Sequence, residues 1–325
     1  ICLAGPVPAL AQTPHTAVAK TPEAAEHHKL FDLFEDADRR EQALNPLNGL
    51  YRGDDERIDR LGDLLTDADF LASRTDTRLN LALLAQIDRT KLSETDKLAF
   101  DVFRYTQQTA LEGMSDALRP IKAARPLNHF FGMHNYYPSL ASGKGIAPFR
   151  TLAHYEDNLA RHDDYIAYLD RAIGRFRQGK ARGLLETKLT VGIMVTQLDT
   201  QLSTPLAQSP FMGPVQDFPE GIPDEDKARL TKAYEAKTAE LYAATARLRD
   251  FLRDEYLPAA RDSIGLSQME GGAQLYAYLA RESTTLDLEP EEIHQLGLGE
   301  VARIKAEMEQ LKREVGFKGT LGQFF

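Results

Sequence analysis

The side chains best suited to binding chemistry lie between His129 and Tyr137, in the stretch HFFGMHNYY. It concentrates imidazole, amide and phenol groups that donate and accept hydrogen bonds, beside aromatic rings that stack. Irregular segments with this composition either contact a ligand or pack against the fold they cross. We predict His134, Tyr136 and Tyr137 as substrate contacts, with packing inside the loop as the alternative.

A second candidate stretch begins at Gly271 and reads GGAQLYAY. Paired glycines before a helix allow another group to approach the backbone closely, because they carry no Cβ. That group is either a ligand at the helix N-terminus or a neighbouring helix. We predict Gly271, Gly272 and Tyr276 as substrate contacts, with helix packing as the alternative.

The familiar catalytic signatures are absent from the sequence. It contains no phosphate-binding glycine loop, no dinucleotide fingerprint, no nucleophile elbow and no His-Glu-x-x-His. Cys2 is the only cysteine, which disfavours thiol catalysis and thiolate zinc sites. His154 and His162 are too far apart on one helix to share a metal. His162 falls in an apolar stripe and is predicted to be a hydrogen-bonded core histidine. We assign no catalytic residue and no metal ligand to these residues.

The composition excludes several classes of protein. Apolar residues make up 42% and charged residues 27%, as in folded globular chains. The net charge of −10, with no cluster of Lys and Arg, argues against nucleic acid or an anionic membrane surface as a partner. No stretch reaches the roughly 18 apolar residues that a membrane span needs.

The elements that must position the candidate residues are predicted to be helices. Apolar residues recur at three- and four-residue steps, and no segment alternates for long enough to indicate a sheet. We therefore predict an all-α fold, a large irregular multi-helix bundle with long loops rich in Pro, Gly and aromatic residues. The predicted helices cover 23–44, 55–72, 77–87, 93–118, 152–176, 184–202, 224–256, 272–282 and 290–315.

The last predicted helix has clear start and stop signals. Pro290 stands in its first turn, and Gly316 follows it as a left-handed cap. Its apolar stripe is predicted to be buried and consists of Ile293, Val301, Ile304, Met308, Leu311 and Val315.

The N-terminus resembles an export signal. Residues 1–22 are predicted to be a truncated signal peptide and a flexible leader, with cleavage after Ala11; an ordinary disordered terminus is the alternative. This predicts a periplasmic or otherwise exported bacterial protein. Whether Cys2 carries a lipid is left open. The start at Ile1 and the aromatic end at Phe325 lead us to expect a piece of a longer protein.

Several motifs together resemble one family, the bacterial domain of unknown function 885. The most specific block runs from Gly271 to Met308, and the resemblance covers most of the chain after the leader. The matching residues are Tyr137-Pro138, Ser209-Pro210-Phe211, Tyr256-Leu257-Pro258, Arg261, Ser263, Gly265, Gly271-Gly272, Tyr276, Thr284-Thr285, Pro290 to His294, Leu296-Gly297, Glu300-Val301 and Met308.

The resemblance implies a function as well as a fold. Members look like exported helical zinc metallopeptidases whose His-Glu motif lies past the point that matches Phe325. By that resemblance, residues 23–325 are the helical N-terminal part of a larger peptidase domain and form one wall of its cleft. The zinc would be bound by residues outside this chain, and the partners would be a peptide substrate and the missing C-terminal half. The alternative is a non-catalytic helical module of the cell envelope that binds peptides or proteins.

Overall fold

The computed structural model describes residues 21–54 and 58–325, and their regular secondary structure is helical. An isolated bridge between Thr187 and Arg261 is the only β-type pairing among these residues. The predicted all-α fold is confirmed. Within the same residues, no helix is both long and apolar enough to cross a membrane. The predictions about Ala11 and Cys2 lie outside the described residues.

The α-helices differ widely in length, from a single turn to 30 residues. In chain order they are α1 (Pro22–Leu44), α2 (Asp67–Leu84), α3 (Glu94–Gly113), α4 (Arg119–Ala123), α5 (Met133–Leu140), α6 (Leu152–Ala181), α7 (Lys188–Ser203), α8 (Asp224–Asp250), α9 (Gly272–Thr284), α10 (Pro290–Glu314) and α11 (Leu321–Phe324). Single 3₁₀ turns connect several of them, and a π-helical turn, Phe251–Tyr256, extends α8.

The chain divides into two compact units. Described residues 21–45 and 70–111 form the first, whose core comes from α1, α3 and the end of α2. Ser93 caps α3 by accepting the Asp96 N–H at 3.1 Å. Buried Glu26 accepts the Asp88 N–H at 2.8 Å and a hydrogen bond from Lys29, and these bonds lower the pKa of its carboxyl. The core residues are Leu30, Leu33, Leu84, Ile87, Leu92 and Phe100.

The second unit comprises the described residues 46–54, 58–69 and 112–325, and α6, α7 and α8 form its centre. Ion pairs show that α6 and α8 run parallel, because their partners advance together along both helices. Glu156 pairs with Arg229, Asp163 with Lys237 and Asp170 with Arg247. The intervening α7 runs antiparallel to α8, since Arg249 pairs with Asp199 whereas the Tyr242 hydroxyl reaches the Thr204 carbonyl.

Most helix predictions are confirmed, and the exceptions have a local cause. The predicted 55–72 and 77–87 helices are wrong: 58–66 is irregular, and one helix, α2, crosses the expected break. The break was expected at Ser73 to Asp76, which favour turns over helix. In α2, threonine hydroxyls at this point donate hydrogen bonds to backbone carbonyls one turn earlier. Thr75 Oγ1 donates to the Leu71 carbonyl at 2.7 Å, and Thr77 Oγ1 donates to the Ser73 carbonyl at 2.9 Å. The predicted 93–118 helix ends early, at Gly113.

The predicted burial of the last helix is wrong, although the helix itself is confirmed as α10. No residue of α10 is buried. Within the described residues its main contact is with the short α11. Periodicity shows which face of a helix is apolar, but it does not supply an element to cover that face. Whether 23–325 is part of one larger domain stays a prediction.

Candidate functional site: an aromatic cavity

An open cavity of about 720 Å³ lies in the second unit, beside the first candidate stretch. Its volume is typical of sites that take small molecules or several side chains of a peptide. We call it the aromatic cavity. Its lining consists of Leu64, Leu65, Asp69, Phe130, Phe131, Gly132, Met133, Asn135, Tyr136 and Tyr168.

Two adjacent phenylalanines are the most exposed part of this lining. Phe130 is 75% and Phe131 76% exposed, although aromatic rings normally seek burial. A closed turn holds them there: Asn128 Oδ1 accepts the N–H groups of Phe130 and Phe131 at 2.8 and 2.9 Å. The Asn128 N–H in turn donates to the Phe131 carbonyl at 2.8 Å. The turn therefore fixes two rings in solvent beside a cavity.

The backbone next to the phenylalanines is fixed as well. The His129 carbonyl accepts hydrogen bonds from Asn135 Nδ2 and Gln197 Nε2, each at 3.0 Å. Gly132 has a φ of 140°, a conformation that favours glycine, and a Cβ there would meet the ring of His134. This glycine lets the chain turn from the aromatic pair directly into α5.

Tyr136 projects from α5 into the lining and is 37% exposed. Its hydroxyl is hydrogen-bonded to the hydroxyl of Tyr51. Partial burial raises the pKa of the Tyr136 phenol well above its ordinary value, and the Tyr51 contact raises it further. Tyr136 is thus a neutral, hydrogen-bonding group at the wall of the cavity.

The irregular segment 58–66 and the start of α2 supply a further part of the lining, through Leu64, Leu65 and Asp69. Asp164 of α6 holds this segment by accepting the Leu61 N–H at 2.9 Å. Arg175 Nε donates to the Leu65 carbonyl, also at 2.9 Å. Leu65 has a φ of 67°, an uncommon conformation for a side chain of this size, which costs on the order of 1 kcal/mol. Backbone strain of this kind concentrates at ligand sites.

Asp69 supplies the carboxyl group of the lining. Burial raises its pKa, the nearby charge of Asp63 raises it further, and Arg171 opposes both effects. A partly desolvated carboxyl in an apolar cavity is a strong hydrogen-bond acceptor, suited to an amide or a cationic group of a ligand.

His134 lies behind the cavity and not in its lining. Its side chain is fully buried, and neither ring nitrogen has a hydrogen-bond partner among the described residues. Burial alone lowers its pKa to about 4, so the ring is neutral at ordinary pH. Its carbonyl accepts a bond from Gln201 Nε2 at 2.9 Å, which ties α5 to α7.

Tyr137 is also buried, in a polar network inside the core. Its hydroxyl lies 2.8 Å from Nδ1 of His162, and its ring stacks on Tyr165 with centroids 4.2 Å apart. His162 is therefore the hydrogen-bonded core histidine predicted from its position in the apolar stripe. Asn158 and Arg161 complete this part of the network, linked by a 2.7 Å bond from Arg161 Nη2 to Asn158 Oδ1.

The second candidate stretch packs in a different place. Gly271 has a φ of 69° and precedes α9. A Cβ on Gly272 would collide with the Leu266 carbonyl oxygen, so this glycine permits contact between two backbones. The small cluster next to it includes Ile121, Leu275 and other buried apolar residues. Tyr276 is 49% exposed on α9.

The structure therefore separates the six predicted contacts. Only Tyr136 lines the aromatic cavity; His134 and Tyr137 are buried and do not line it, and Gly271, Gly272 and Tyr276 also lie outside its lining. The substrate roles of all six stay predictions. Phe130 and Phe131 were visible in the sequence as an aromatic pair but were not selected. Nothing local marks the remaining lining, because Leu64, Leu65, Asp69 and Tyr168 reach the site only through the fold.

No group of three or more His, Cys, Asp or Glu side chains in residues 21–54 and 58–325 is arranged to hold a metal ion. These residues do not fit a zinc centre, which needs at least three protein ligands.

Comparison with known proteins identifies the family. Residues 46–325 match the family described as "Bacterial protein of unknown function (DUF885)". The chain belongs to this family. The DUF885 resemblance read from the sequence is thus confirmed. A search of curated proteins gives no match.

One solved structure shows the same fold as this DUF885 chain. It is described as the crystal structure of the putative lipoprotein from Colwellia psychrerythraea, with a TM-score of 0.74 and 19% sequence identity. The similarity covers 92% of this chain and 53% of that one. The chain thus spans about half the length of the structure it matches.

Proposed function

We propose that this chain is the cleft-forming N-terminal part of a longer, exported zinc-dependent peptidase, and that its aromatic cavity binds apolar side chains of a peptide substrate. The observation that carries the proposal is the aromatic cavity with its two solvent-facing phenylalanines. Exposed aromatic rings beside a partly apolar cavity are typical of surfaces that bind other molecules.

The polar groups of the cavity favour a peptide over a purely apolar ligand. Asp69 offers a carboxylate acceptor and Tyr136 a hydroxyl, and Asn135 belongs to the same lining. A peptide presents apolar side chains together with amide N–H and C=O groups, so it can use both kinds of surface. The lining residues would bind and orient the substrate and exclude water from its apolar side chains.

Zinc enters the proposal only through the family resemblance, bound by residues outside this chain. We assign no catalytic step to the described residues. The partner that would bring the metal is the C-terminal half of the same protein. The proposal of export is supported by the signal-like N-terminus and by the structural relative, which is described as a putative lipoprotein.

A tryptophan-containing peptide gives a direct test of binding. The chain contains no Trp, so indole emission reports only the peptide. We expect the emission maximum of a peptide such as Ala-Ala-Trp-Ala-Ala to shift on titration with the 1–325 chain, and the shift to saturate. The same peptide with the Trp replaced by Ser, used as a competitor, should not reverse the shift.

Two readouts separate the peptidase from its rival. Zinc content and peptide hydrolysis are measured on the natural gene product: about one zinc per chain together with hydrolysis supports the peptidase. Peptide binding without zinc and without hydrolysis would instead support the non-catalytic binding module. Absence of peptide binding would overturn the role of the aromatic cavity.

A further inference from the structure

The most unusual surface outside the aromatic cavity is one face of α10. Its large apolar side chains are exposed to water, and they follow one another at steps of three and four residues. We call this set the α10 stripe: Val301, Ile304, Met308, Leu311 and Val315.

Local interactions within α10 stabilise the helix that carries the stripe. Pro290 opens it, and the Glu292 carboxylate accepts the Glu289 N–H at 2.8 Å. On its polar side Arg303 donates to both Glu300 and Glu307, at 2.7 Å. A helix surrounded by water on all sides gains no stability from five large apolar residues on one face, as the α10 stripe has. Alternating steps of three and four are instead the pattern of a seam that packs along another helix.

The charges beside the stripe describe the partner further. On one flank stand Glu300, Glu307 and Glu314, seven residues apart, and on the other stand Lys305 and Lys312. A helix that fits would carry basic residues along the glutamate flank and acidic residues along the lysine flank. These rim charges set orientation more than affinity.

The apolar surface continues past the end of α10. Phe317 and Phe324 pack against each other with ring centroids 5.4 Å apart, and Phe325 is 82% exposed. Together with the stripe they form a run of exposed apolar groups larger than isolated surface residues would make.

We propose that the α10 stripe docks an amphipathic helix from the remaining part of a longer polypeptide to which this chain belongs. The relative of the same fold supports this occupant, because this chain accounts for only 53% of its length. The proposal rests on the proposed function in one respect, that this chain is part of a longer protein. A second copy of the chain is the competing occupant, since a parallel pair would also set glutamates against lysines.

Hydrogen exchange of residues 298–315, followed by mass spectrometry, tests the occupant. The natural gene product is compared with the 1–325 chain at several concentrations. We expect these amides to exchange at least about 100-fold more slowly in the natural gene product, at every concentration. In the 1–325 chain they should exchange fast when dilute.

Two matched variants of the natural gene product locate the contact. Ile304→Glu with Leu311→Glu places two charges in the stripe and should abolish the protection. Ala306→Glu with Gln310→Glu places the same two charges on exposed positions outside the stripe and should leave protection intact.

Three results would overturn the proposal: a gene product that ends at Phe325, fast exchange in the natural gene product, or protection that depends on protein concentration. The last would identify a second copy as the occupant. The last two outcomes do not depend on zinc content or peptide binding, whereas a gene product that ends at Phe325 would overturn both proposals. Docking can therefore hold while the peptidase proposal fails, and the two failures are distinguishable.

Discussion

Asn158 donates a hydrogen bond from Nδ2 to Nε2 of His162 across 3.2 Å, and this contact determines which ring nitrogen carries the proton. The amide orientation is set because Asn158 Oδ1 accepts from Arg161. With Nε2 accepting, neutral His162 must hold its proton on Nδ1 and donate it to the Tyr137 hydroxyl. Burial and the charge of Arg161 lower the pKa of His162 to about 3.

Replacing the Asn158 amide by a carboxylate should favour a proton on Nε2 of His162, the nitrogen that accepts a hydrogen bond in the wild type. In Asn158→Asp, an oxygen would face Nε2 and favour the protonated ring, while Arg161 would keep its acceptor. We expect the pKa of His162 to rise by more than about one unit, measured by NMR titration of the ring. A titration curve unchanged from that of the wild type would contradict the contact between the side chain at position 158 and the ring of His162.

Acid should destabilise the protein through two histidines that are buried in the described part of the chain, His134 and His162. The pKa of His134 is lowered to about 4 and that of His162 to about 3, both below the ordinary value of 6.5. At pH values between the ordinary pKa and these lowered ones, the unfolded state binds more protons than the folded state. The unfolding free energy therefore falls as pH falls. From about pH 7 to about pH 5 the two should together remove about 4 kcal/mol of unfolding free energy, measured by urea denaturation. His134→Phe should remove about half of that pH dependence. A variant whose stability keeps the full pH dependence would show that His134 does not contribute.

The exposed phenylalanines should matter for binding and little for stability. Phe130→Ala and Phe131→Ala should each weaken binding of the tryptophan peptide about tenfold, through loss of ring contacts. The unfolding free energy should change by less than about 1 kcal/mol, since both rings are mostly exposed. Ile264→Ala is the control: its side chain is also 75% exposed but lies outside the cavity lining, so binding should not change.

Gly272 and Gly297 offer a matched pair of glycine-to-alanine changes in helices. A Cβ at Gly272 would collide with the Leu266 carbonyl oxygen, so Gly272→Ala should lower the unfolding free energy by about 3 kcal/mol. At Gly297 nothing lies within 4 Å, and Gly297→Ala should raise helix stability by up to about 1 kcal/mol. Thermal and urea melts measure both. A harmless Gly272→Ala would show that the backbone contact does not constrain this position.

Tyr276 tests the second candidate stretch. Its side chain is half exposed, so Tyr276→Phe should change the unfolding free energy by less than about 0.5 kcal/mol. If Tyr276 contacts substrate, the variant of the natural gene product should show altered kinetics of peptide hydrolysis. A large loss of stability with normal kinetics would assign the hydroxyl to packing.

Local pattern alone was enough to predict most of the helices. In α6 the apolar residues from Leu152 to Phe176 keep one helical period, and the structure buries or half-buries that face. Pro290 and Gly316 mark the two ends of α10 because their backbone preferences act on single residues. His162 was predictable as a core histidine for the same reason, since its place in the period set its burial.

The candidate site depended on contacts between distant segments. Leu65, Phe131 and Tyr168 meet at one cavity, yet about 100 residues separate the first from the last. The orientation of Phe130 and Phe131 depends on the Asn128 turn. The Tyr137 hydroxyl is hydrogen-bonded in the core to His162, which lies 25 residues further along the chain. The sequence alone determined which faces are apolar, because helix periodicity is local. Only the tertiary structure decided which of those faces are covered, because covering a face requires a second surface from elsewhere in the chain. For the α10 stripe, the described residues supply no element that buries it.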